Sequence, residues 1–436
     1  MNFPKQAIRD FVPFTYATNS WFQNVCIIGL GYIGLPTATL VASRGFNVRG
    51  VDINRSTVAT INDGRCHFHE LGLDALVNTA VENGNLSASV NVAPADIFMI
   101  CVPTPSVPDG QGNKVCDLSY VLEAAESIAP HLKSGDLVIV ESTSPIGTCD
   151  RVSETLARLR NDLSFPHQAG DTSDVAIAYC PERVIPGRMI TELVENDRVI
   201  GGMTPRCADK AAALYRSFVN GKVHLTSAKV AEAVKLTENS FRDVNIAFAN
   251  ELSMLFAGLG VNTKEVIELA NCHPRVNILT PGPGVGGHCI PVDPWFLWES
   301  MPERAPLIRT ARQVNDNKAH YVLNQILEAY AENGGGTVAC LGLSYKADVD
   351  DFRESPAFEI TEALHAKLGD KVIAIDPFAS ALLAGKKRPA FKVTNDLAEA
   401  AKADLVVALV SHKAFRVFRP RDGQKVVDTC GLFATA

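Results

Sequence analysis

The sequence predicts an α/β fold in which two Rossmann-like, doubly wound domains are joined by a long central helix. Short apolar runs alternate with helical patterns, as in parallel sheets that are covered by helices. A glycine-rich turn at 29–34 follows the first apolar run, and a helical pattern extends from Ala228 to about Leu259, long enough to join two domains or to make a dimer contact. A chain of 436 residues is also too long for one ordinary core, so we expect two or three domains.

The N-terminal elements are predicted to form a β-α-β unit. A buried strand at 25–28 leads into the glycine turn, a helix follows at about 35–43, and a second strand at 46–51 ends at Asp52. Later strand-like runs lie at 97–102, 137–141 and 175–179. Their alternation with helical patterns predicts a mostly parallel sheet.

The C-terminal part repeats this pattern on a smaller scale. Helices at about 263–271 and 307–330 flank a glycine-rich loop at 282–294, and Asn333-Gly-Gly-Gly336 interrupts the pattern. The predicted elements beyond this break are strands at 337–343, 372–375 and 405–409 and a helix at 355–368. The expected segments of the chain are 1–24, 25–226, 227–333 and 334–436.

Composition and charge argue against several classes of protein. The net charge of −7, with acids and bases interspersed, disfavours a nucleic acid or a membrane surface as the main partner. No apolar run approaches the ~18 residues of a membrane span, and the first 24 residues lack the apolar region of a signal peptide. The eleven cysteines include no C-x-x-C pair, so we expect no disulfide framework and no metal site, and reduced thiols indicate a cytoplasmic protein.

The turn Gly29-Leu-Gly-Tyr-Ile-Gly34 matches the dinucleotide-binding fingerprint, because it follows a strand, opens a helix and precedes an acidic residue. Asp52 lies eighteen residues beyond Gly34, where a carboxylate can accept hydrogen bonds from a ribose diol. The carboxylate would repel a 2′-phosphate, so NAD is favoured over NADP, although Arg55 weakens that preference. The expected cofactor-binding residues here are Gly29, Gly31, Tyr32, Ile33, Gly34, Asp52 and Arg55. The alternative is a turn with only a structural role.

Three polar residues follow later strands of the same predicted sheet, at the edge where such sheets bind ligands. Thr104 and Thr143 could reach the cofactor or the reacting oxygen, and Glu182 could hold or activate a water. The alternatives are helix caps or turn residues for the threonines, and an ion pair with Arg183 or another base for Glu182.

Lys235 and Asn239 lie one turn apart on the same face of the long helix. A lysine and an amide in this arrangement could stabilise an oxyanion and orient a water. An ordinary solvated helix face is the alternative.

Cys289 is the candidate nucleophile. It ends the sequence Gly286-Gly-His-Cys289, four residues before Asp293, in a loop too rich in glycine to belong to a core. The thiolate is the reactive form of cysteine, and positive charge or an oriented base lowers the pKa of a thiol. With NAD, such a thiol suggests oxidation of an alcohol to an aldehyde, capture as a thiohemiacetal, oxidation to a thioester, and hydrolysis to an acid. The alternative is a ligand-binding glycine loop with an incidental thiol.

Polar and cationic side chains in the C-terminal half suit an anionic nucleotide substrate. His273, Arg275 and Asn277 offer donors to phosphate or sugar hydroxyls. Lys346 suits an anion, and Arg353 could bind a diphosphate through its forked guanidinium. Each of these residues alone is more often a surface charge.

In combination, these motifs resemble the UDP-sugar 6-dehydrogenase family over nearly the full length of the chain. The matching landmarks, in the family's order, are Gly29-x-Gly-x-x-Gly34, Glu141-Ser-Thr143, Pro181-Glu182, Lys235-x-x-x-Asn239, Gly286-Gly-His-Cys289 with Asp293, and Lys346 followed by Arg353-x-Ser-Pro356. The sequence Gly-Gly-His-Cys is similar to the N-acetylhexosamine branch of the family. Glu70-Leu-Gly-Leu73 departs from the family's Glu-Pro-Gly-Leu, which leaves the geometry of that loop open.

The resemblance implies a role for each residue. Cys289 would attack the substrate, Asp293 would order water or protons, and Lys346 would contact the reacting sugar. Arg275 and Arg353 would make substrate or interdomain contacts, some of them across a dimer. The implied catalytic residues are Cys289, Lys235, Asn239, Asp293, Glu182 and Thr143. The implied substrate-binding residues are Glu182, Arg183, Lys235, Asn239, His273, Arg275, Gly286 and Lys346. The implied cofactor-binding residues outside the turn are Thr104, Thr143 and Arg353.

The resemblance also implies a function for the protein and a role for each segment of the chain. Residues 25–226 would bind NAD, 227–333 would carry the cysteine loop and the dimer contacts, and 334–436 would bind a UDP-sugar. The cytoplasmic enzyme, a homodimer or higher homo-oligomer, would oxidise C6 of UDP-N-acetylglucosamine to the acid for a surface polysaccharide. UDP-N-acetylmannosamine is a close second substrate, since it differs only at C2. The rivals are a two-electron oxidoreductase in which Cys289 is structural, and a nucleotide-sugar sensor without catalysis.

Overall fold

The computed structural model describes residues 22–185, 187–384 and 388–433, and the chain divides into two compact units, 1–236 and 237–436. Nearly all of the predicted N-terminal extension at 1–24 lies outside the described residues. Within the described ranges, no helix is both long and apolar enough to cross a membrane.

The first unit is built on an eight-stranded sheet and a small hairpin. Its strands are β1 (Asn24–Ile28), β2 (Asn47–Val51), β3 (Leu86–Ser89), β4 (Ile97–Ile100), β5 (Ser106–Pro108), β6 (Lys114–Cys116), β7 (Leu137–Val140), β8 (Ala176–Tyr179), β9 (Arg198–Gly202) and β10 (Val223–Ser227). Its helices are α1 (Gly34–Ser43), α2 (Arg55–Asn62), α3 (Leu73–Glu82), α4 (Ser119–Ile128), α5 (Thr148–Leu159), α6 (Pro166–Ala169), α7 (Met189–Glu195) and α8 (Pro205–Tyr215). The helix α9 (Ala228–Leu259) then passes into the second unit, and its bounds agree with the predicted long helix.

The large sheet is mostly parallel, as the sequence predicts. Its order is β10-β9-β8-β7-β4-β1-β2-β3, and only β8 and β9 pair antiparallel. β5 and β6 form the separate antiparallel hairpin. The antiparallel pair is not predicted from the sequence, because β9 begins with a charged residue, Arg198, and ends in two glycines.

Both faces of this sheet are buried, because successive residues of a strand point to opposite sides. Along β1, Val25 and Ile27 belong to one apolar cluster, whereas Cys26 and Ile28 belong to the other. Cys26 is therefore a small core residue, as its apolar neighbours predict.

The second unit contains a five-stranded parallel sheet with the order β13-β12-β11-β14-β15. Its strands are β11 (Val338–Leu341), β12 (Val372–Ile375), β13 (Lys392–Thr394), β14 (Leu405–Ala408) and β15 (Lys425–Asp428). Its helices after α9 are α10 (Thr263–Ala270), α11 (Asp293–Glu299), α12 (Pro306–Glu332), α13 (Pro356–Leu368), α14 (Ala379–Ala384) and α15 (Ala398–Lys402). The second α/β sheet is confirmed, although β13 and β15 were not predicted.

A buried polar network in the second unit fixes the beginning of the glycine-rich loop. Arg312 of α12 donates to Asp243 of α9 at 2.5 Å, and Asn315 donates to the same carboxylate at 2.8 Å. Asn250 of α9 donates to the Asn315 side-chain oxygen at 2.9 Å and accepts from the Gly282 backbone N–H at 3.0 Å. All four side chains are buried, so the bonds are protected from water and hold the loop to both helices.

Candidate active site

The glycine turn of the first unit has two packing glycines and one open glycine. Gly29 adopts φ +90°, and a Cβ there would lie 2.6 Å from the Cys101 carbonyl oxygen. A Cβ on Gly34 would lie 1.8 Å from the Gly29 carbonyl oxygen, whereas a Cβ on Gly31 would meet no described heavy atom within 4 Å. The turn is therefore closed against β4 on one side and open at Gly31, where a pyrophosphate can approach the backbone.

Asp52 is held beside this turn by backbone donors. Its Oδ2 accepts from the Leu30 N–H at 3.1 Å, and its Oδ1 accepts from the Asn54 N–H at 2.8 Å. The side chain remains only half-buried, so it can still accept hydrogen bonds from a ribose. An open glycine and an oriented carboxylate fit the dinucleotide that the fingerprint predicts.

The other residues of the predicted cofactor group lie in the turn or follow the strand β2. Tyr32 is 42% exposed and contacts Phe68, with ring centroids 4.4 Å apart and ring planes tilted by 33°. Ile33 is half-buried in front of α1, and Arg55 is exposed at the first position of α2.

Thr104 and Thr143 bring together the loops that follow β4 and β7. The Thr104 hydroxyl donates to the Thr143 carbonyl oxygen at 2.5 Å, and both residues are half-buried. Neither residue is the N-cap of a helix, since the cap of α5 is Gly147 and that of α4 is Leu118. The sheet thus places both threonines at the edge that the sequence predicts.

Glu182 is buried and forms an ion pair with Arg198. Its Oε2 accepts from Arg198 Nη1 at 2.5 Å, and its Oε1 accepts from the Arg183 backbone N–H at 2.6 Å. The Arg183 side chain donates instead to the Asp197 carbonyl oxygen. Glu182 therefore makes the ion pair that was one of the two predictions for it, and this pair holds the carboxylate in a fixed orientation.

Glu141 is a buried carboxyl group to which the sequence analysis gave no role. It accepts from Tyr215 Oη at 2.5 Å, Cys101 Sγ at 3.2 Å and Thr37 Oγ1 at 3.4 Å. Burial, reinforced by the charge of Glu182, raises the pKa of Glu141 to about 7. The sequence signal was its position after the apolar strand β7, but the distant Tyr215 and Cys101 partners appear only in the folded chain.

Lys235 and Asn239 are both buried, with 8% and 9% exposure, so the alternative of a solvated helix face is wrong. In the second unit, Asn239 donates through Nδ2 to Asp293 Oδ2 at 2.5 Å. Asp293 opens α11, and its backbone N–H donates to the Cys289 carbonyl oxygen at 2.8 Å. The amide, the carboxylate and the cysteine are therefore connected within one unit.

Cys289 is exposed at the end of a glycine loop that packs closely on neighbouring backbone. A Cβ on Gly286 would lie 2.5 Å from the Glu354 carbonyl oxygen and 2.7 Å from the Pro356 ring. Gly287 has φ +89°, and a Cβ there would lie 3.0 Å from the Tyr345 ring. The glycines let the backbone of the loop pack closely on its neighbours, while the Cys289 thiol stays exposed to solvent.

Lys346 borders a cavity of about 140 Å³ in the second unit. The cavity lies at the carboxyl ends of β11 and β14 and is also bordered by Gly284, Ser344, Ser411 and Cys430. β12 and β14 flank β11 on opposite sides, so this is the point where such sheets bind ligands.

Within the second unit, the predicted ligand-binding residues His273, Arg275 and Arg353 do not border this cavity. His273 and Arg275 are exposed after α10, where the Arg275 backbone N–H donates to His273 Nδ1 at 3.3 Å. The Arg353 guanidinium makes two hydrogen bonds to the Asp351 carboxylate, at 2.8 and 2.7 Å.

The departure at Glu70-Leu-Gly-Leu73 leaves a well-anchored loop. The buried carboxylate of Glu70 accepts from the backbone N–H groups of Gly187 and Met189 at 2.7 and 2.9 Å. Gly72, with φ +81°, precedes α3. The missing proline is thus compatible with an ordered loop in the first unit.

The chain matches three models of the UDP-glucose/GDP-mannose dehydrogenase family. The NAD binding domain matches residues 23–219, the central domain 229–317, and the UDP binding domain 339–435. The chain is 52% identical to an NDP-N-acetyl-D-galactosaminuronic acid dehydrogenase of Ralstonia nicotianae, over 95% of this chain and 97% of that protein. It is 50% identical to the UDP-N-acetyl-D-mannosamine dehydrogenase of Escherichia coli, over 94% of this chain and 99% of that protein.

A solved structure shares the fold. A UDP-N-acetyl-mannosamine dehydrogenase from Staphylococcus aureus superimposes with a TM-score of 0.82 at 40% identity, over 95% of this chain and 96% of that one.

The two kinds of glycine in the turn should respond differently to alanine. G34A should lower the melting temperature strongly, because its Cβ would overlap the Gly29 carbonyl oxygen at 1.8 Å. G31A should fold as the unaltered chain does but bind NAD⁺ about tenfold or more weakly, since its methyl group would occupy the open side of the turn. Thermal unfolding and calorimetric NAD⁺ titration measure the two effects. Unchanged NAD⁺ affinity in G31A would contradict the proposed pyrophosphate position.

Glu141 should make the stability of the chain depend on pH. Its pKa is raised to about 7 in the folded chain, against about 4.3 in the unfolded chain, so the folded state retains a proton that the unfolded state loses. The resulting stabilisation is complete below about pH 4 and disappears as the pH rises to 7 and above. The free energy of unfolding of the unaltered chain, relative to E141Q, should therefore fall by roughly 1 kcal/mol per pH unit between pH 5 and 7.

Denaturant unfolding at several pH values measures this difference. E126Q is the matched control, because Glu126 is exposed and forms only a surface ion pair with Arg158. A difference between E141Q and the unaltered chain that stays constant from pH 5 to 8 would show that Glu141 is ionised throughout.

Proposed function

Since this chain belongs to the UDP-glucose/GDP-mannose dehydrogenase family, we propose that it oxidises C6 of a UDP-N-acetylhexosamine to the carboxylic acid in two NAD⁺-dependent steps. The observation that carries the proposal is the exposed thiol of Cys289, on a closely packed glycine loop that is connected to Asp293 and Asn239. A thiol nucleophile can capture the aldehyde for a second oxidation, whereas a two-electron oxidation has no step in which it would act. The dehydrogenase family and its NAD binding domain support the redox part of the proposal.

The proposed sequence begins with loss of a hydride and a proton from the C6 alcohol. NAD⁺ supplies the hydride acceptor in each of the two oxidations. The Cys289 thiolate adds to the C6 aldehyde, and the thiohemiacetal loses a second hydride and a proton to become a thioester. Water then attacks the thioester, which releases the carboxylic acid and restores the thiol.

The buried polar residues are assigned to the charges that develop in these steps. In the proposal, Lys235 and Asn239 stabilise the oxyanion on C6, because a buried cation and an amide donor act most strongly away from water. Asp293 orients the Asn239 amide and accepts protons. Thr143 and Glu182 position the hydrolytic water, and the Arg198 pair keeps the Glu182 carboxylate oriented.

The nucleotide part of the substrate is assigned to the second unit, which carries the family's UDP binding domain. Lys346 would contact the substrate beside the cavity at the ends of β11 and β14, and Gly286 allows close approach of the loop. Arg183, His273 and Arg275 remain proposed substrate contacts, and Arg353 remains a proposed cofactor contact. The proposed functional segments remain 25–226, 227–333 and 334–436.

The sugar is the finer part of the proposal. UDP-N-acetylglucosamine is the first candidate substrate from the sequence, and UDP-N-acetylmannosamine is the second. The relatives at 50–52% identity are named for N-acetylmannosamine and N-acetylgalactosaminuronic acid, which strengthens the second candidate and adds the galactosamine epimer as a third. We further propose a cytoplasmic enzyme whose product enters surface-polysaccharide synthesis.

We propose that the chain forms a homodimer through α9. Four large apolar side chains of this helix are 50–68% exposed in the second unit: Phe241, Phe248, Leu255 and Leu259. The first three are spaced seven residues apart, so they form a stripe along one side of the helix. A second copy of the chain would cover the same stripe with its own, as an isologous contact requires.

NADH formation should distinguish the proposed reaction from its rivals. The three UDP-N-acetylhexosamines and UDP-glucose are offered in parallel. We expect two NADH per molecule of one N-acetylated sugar. Absorbance measures the NADH, and mass spectrometry identifies the acid. C289S should lose nearly all acid formation, because the serine hydroxyl is a far weaker nucleophile than a thiolate. C272S is the matched control, since Cys272 is also exposed but is in no proposed role.

Each of the two rival functions would give a different result in the same assay. One NADH per sugar with an active C289S would indicate the two-electron oxidoreductase. Tight sugar binding without any NADH would indicate the sensor.

The homodimer should depend on the apolar stripe. F248D should convert the dimer into a monomer at micromolar concentration in analytical ultracentrifugation, because it would bury a carboxylate in the apolar contact. L159D is the control, since Leu159 is 47% exposed at the end of α5 and away from the stripe along the chain. A dimer that persists in F248D would place the interface elsewhere.

A further inference from the structure

His412 is a fully buried histidine of the second unit that the proposed chemistry does not use. It follows β14, and both of its ring nitrogens have partners. Nδ1 accepts from the Asp348 backbone N–H at 3.0 Å, while Nε2 lies 3.1 Å from Ser344 Oγ and 3.4 Å from Asp376 Oδ2. Because Nδ1 accepts a hydrogen bond, it carries no proton, and the N–H of the ring is therefore on Nε2.

The group of Ser344, His412 and Asp376 is not a hydrolytic triad. Ser344 is fully buried, and its hydroxyl donates to the Lys346 carbonyl oxygen at 2.9 Å. The serine and the aspartate both approach Nε2, whereas a triad needs them on opposite ring nitrogens. The three side chains therefore act on the surrounding backbone.

The backbone that they hold is the loop from Ser344 to Asp348. His412 binds the Asp348 end through Nδ1, and Ser344 binds the middle at the Lys346 carbonyl. Asp348 adopts φ +62°, a conformation that is unfavourable for a residue with a side chain. The bond from its N–H to His412, with the bond from the Lys413 N–H to its Oδ1 at 2.9 Å, keeps the residue in this conformation.

This loop carries Lys346, which borders the cavity beyond β11 and β14. The same cavity is bordered by Ser411, the residue before His412. His412 thus joins two loops that both border the expected ligand position.

We propose that His412 is a positioning residue for the nucleoside diphosphate of the substrate. Through Nδ1 it fixes the backbone of the loop from Ser344 to Asp348, and this holds Lys346 against the diphosphate, next to the sugar that the resemblance assigns to this lysine. The assignment rests on the proposed function, because it takes the cavity to be the position of a UDP-sugar.

The test uses the full-length chain and UDP as the probe, with UDP and NAD⁺ titrated separately by calorimetry. H412A should weaken UDP binding about tenfold or more and leave NAD⁺ binding unchanged, because it removes the acceptor for the Asp348 N–H. H412N should recover most of the UDP affinity, since its amide oxygen can take the place of Nδ1. In turnover, H412A should raise the KM for the sugar nucleotide more than it lowers kcat.

F415A is the matched control for packing. Phe415 is buried, and its ring centroid lies 5.3 Å from that of His412, but its side chain takes no part in the hydrogen bonds of the imidazole. We expect F415A to lower the melting temperature while UDP affinity is retained.

The possible results separate the inference from the proposed function. Unchanged UDP affinity in H412A, an equal loss in F415A, or no recovery in H412N would overturn the role of His412. Failure of the unaltered chain to bind UDP, with NAD⁺ still bound, would overturn the proposed substrate class and the inference with it.

Discussion

The same kind of hydrogen bond fixes the loop after the first strand in both sheets of this protein. In each unit the aspartate that ends the second strand accepts from the backbone N–H just after the first strand. Asp52 accepts from Leu30 at 3.1 Å, and Asp376 accepts from Leu343 at 2.7 Å. The preceding glycine, Gly29 or Gly342, has φ +90° in both cases, so the chain leaves the strand in the same direction. This arrangement fixes the loop at the carboxyl edge of the sheet, where a ligand can reach it.

The two units use the same arrangement for different purposes. Asp52 is half-buried beside a turn that is open at Gly31, so its carboxylate is available to a ribose. Asp376 is completely buried and lies 3.4 Å from His412 Nε2, so it can serve only the protein. Where the first unit has Gly31 and Ile33, the second has Ser344 and Lys346, and a lysine at that edge suits an anion held by charge rather than by backbone.

Much of the fold could be predicted because its strands are apolar on both faces. The predicted ends of the inner strands β1, β4, β7, β8 and β11 agree with the structure to within two residues. The strands β3, β10 and β13 were missed since they are short, polar or at a sheet edge, where burial no longer demands an apolar run.

The residues of the candidate site could also be predicted only in part. Motifs with local spacing, such as the glycine turn and the cysteine loop, could be recognised because their geometry depends on neighbouring residues. Glu141 and His412 could not, because their partners are distant in sequence: Tyr215 lies 74 residues from Glu141, and Ser344 lies 68 residues from His412. Whether a polar side chain is buried depends on such contacts, and a single sequence does not contain them.

The cysteine loop combines two requirements that usually conflict, since a reactive thiol must be accessible and yet accurately placed. Side chains normally fix a loop by packing, which would bury the thiol. Here the backbone itself packs: Gly286 and Gly287 lie against Tyr345 and Pro356, and the Cys289 carbonyl accepts from the Asp293 N–H. The loop is therefore held by contacts that leave the Cys289 side chain exposed, and any side chain at Gly286 would separate the thiol from the loop that carries Lys346.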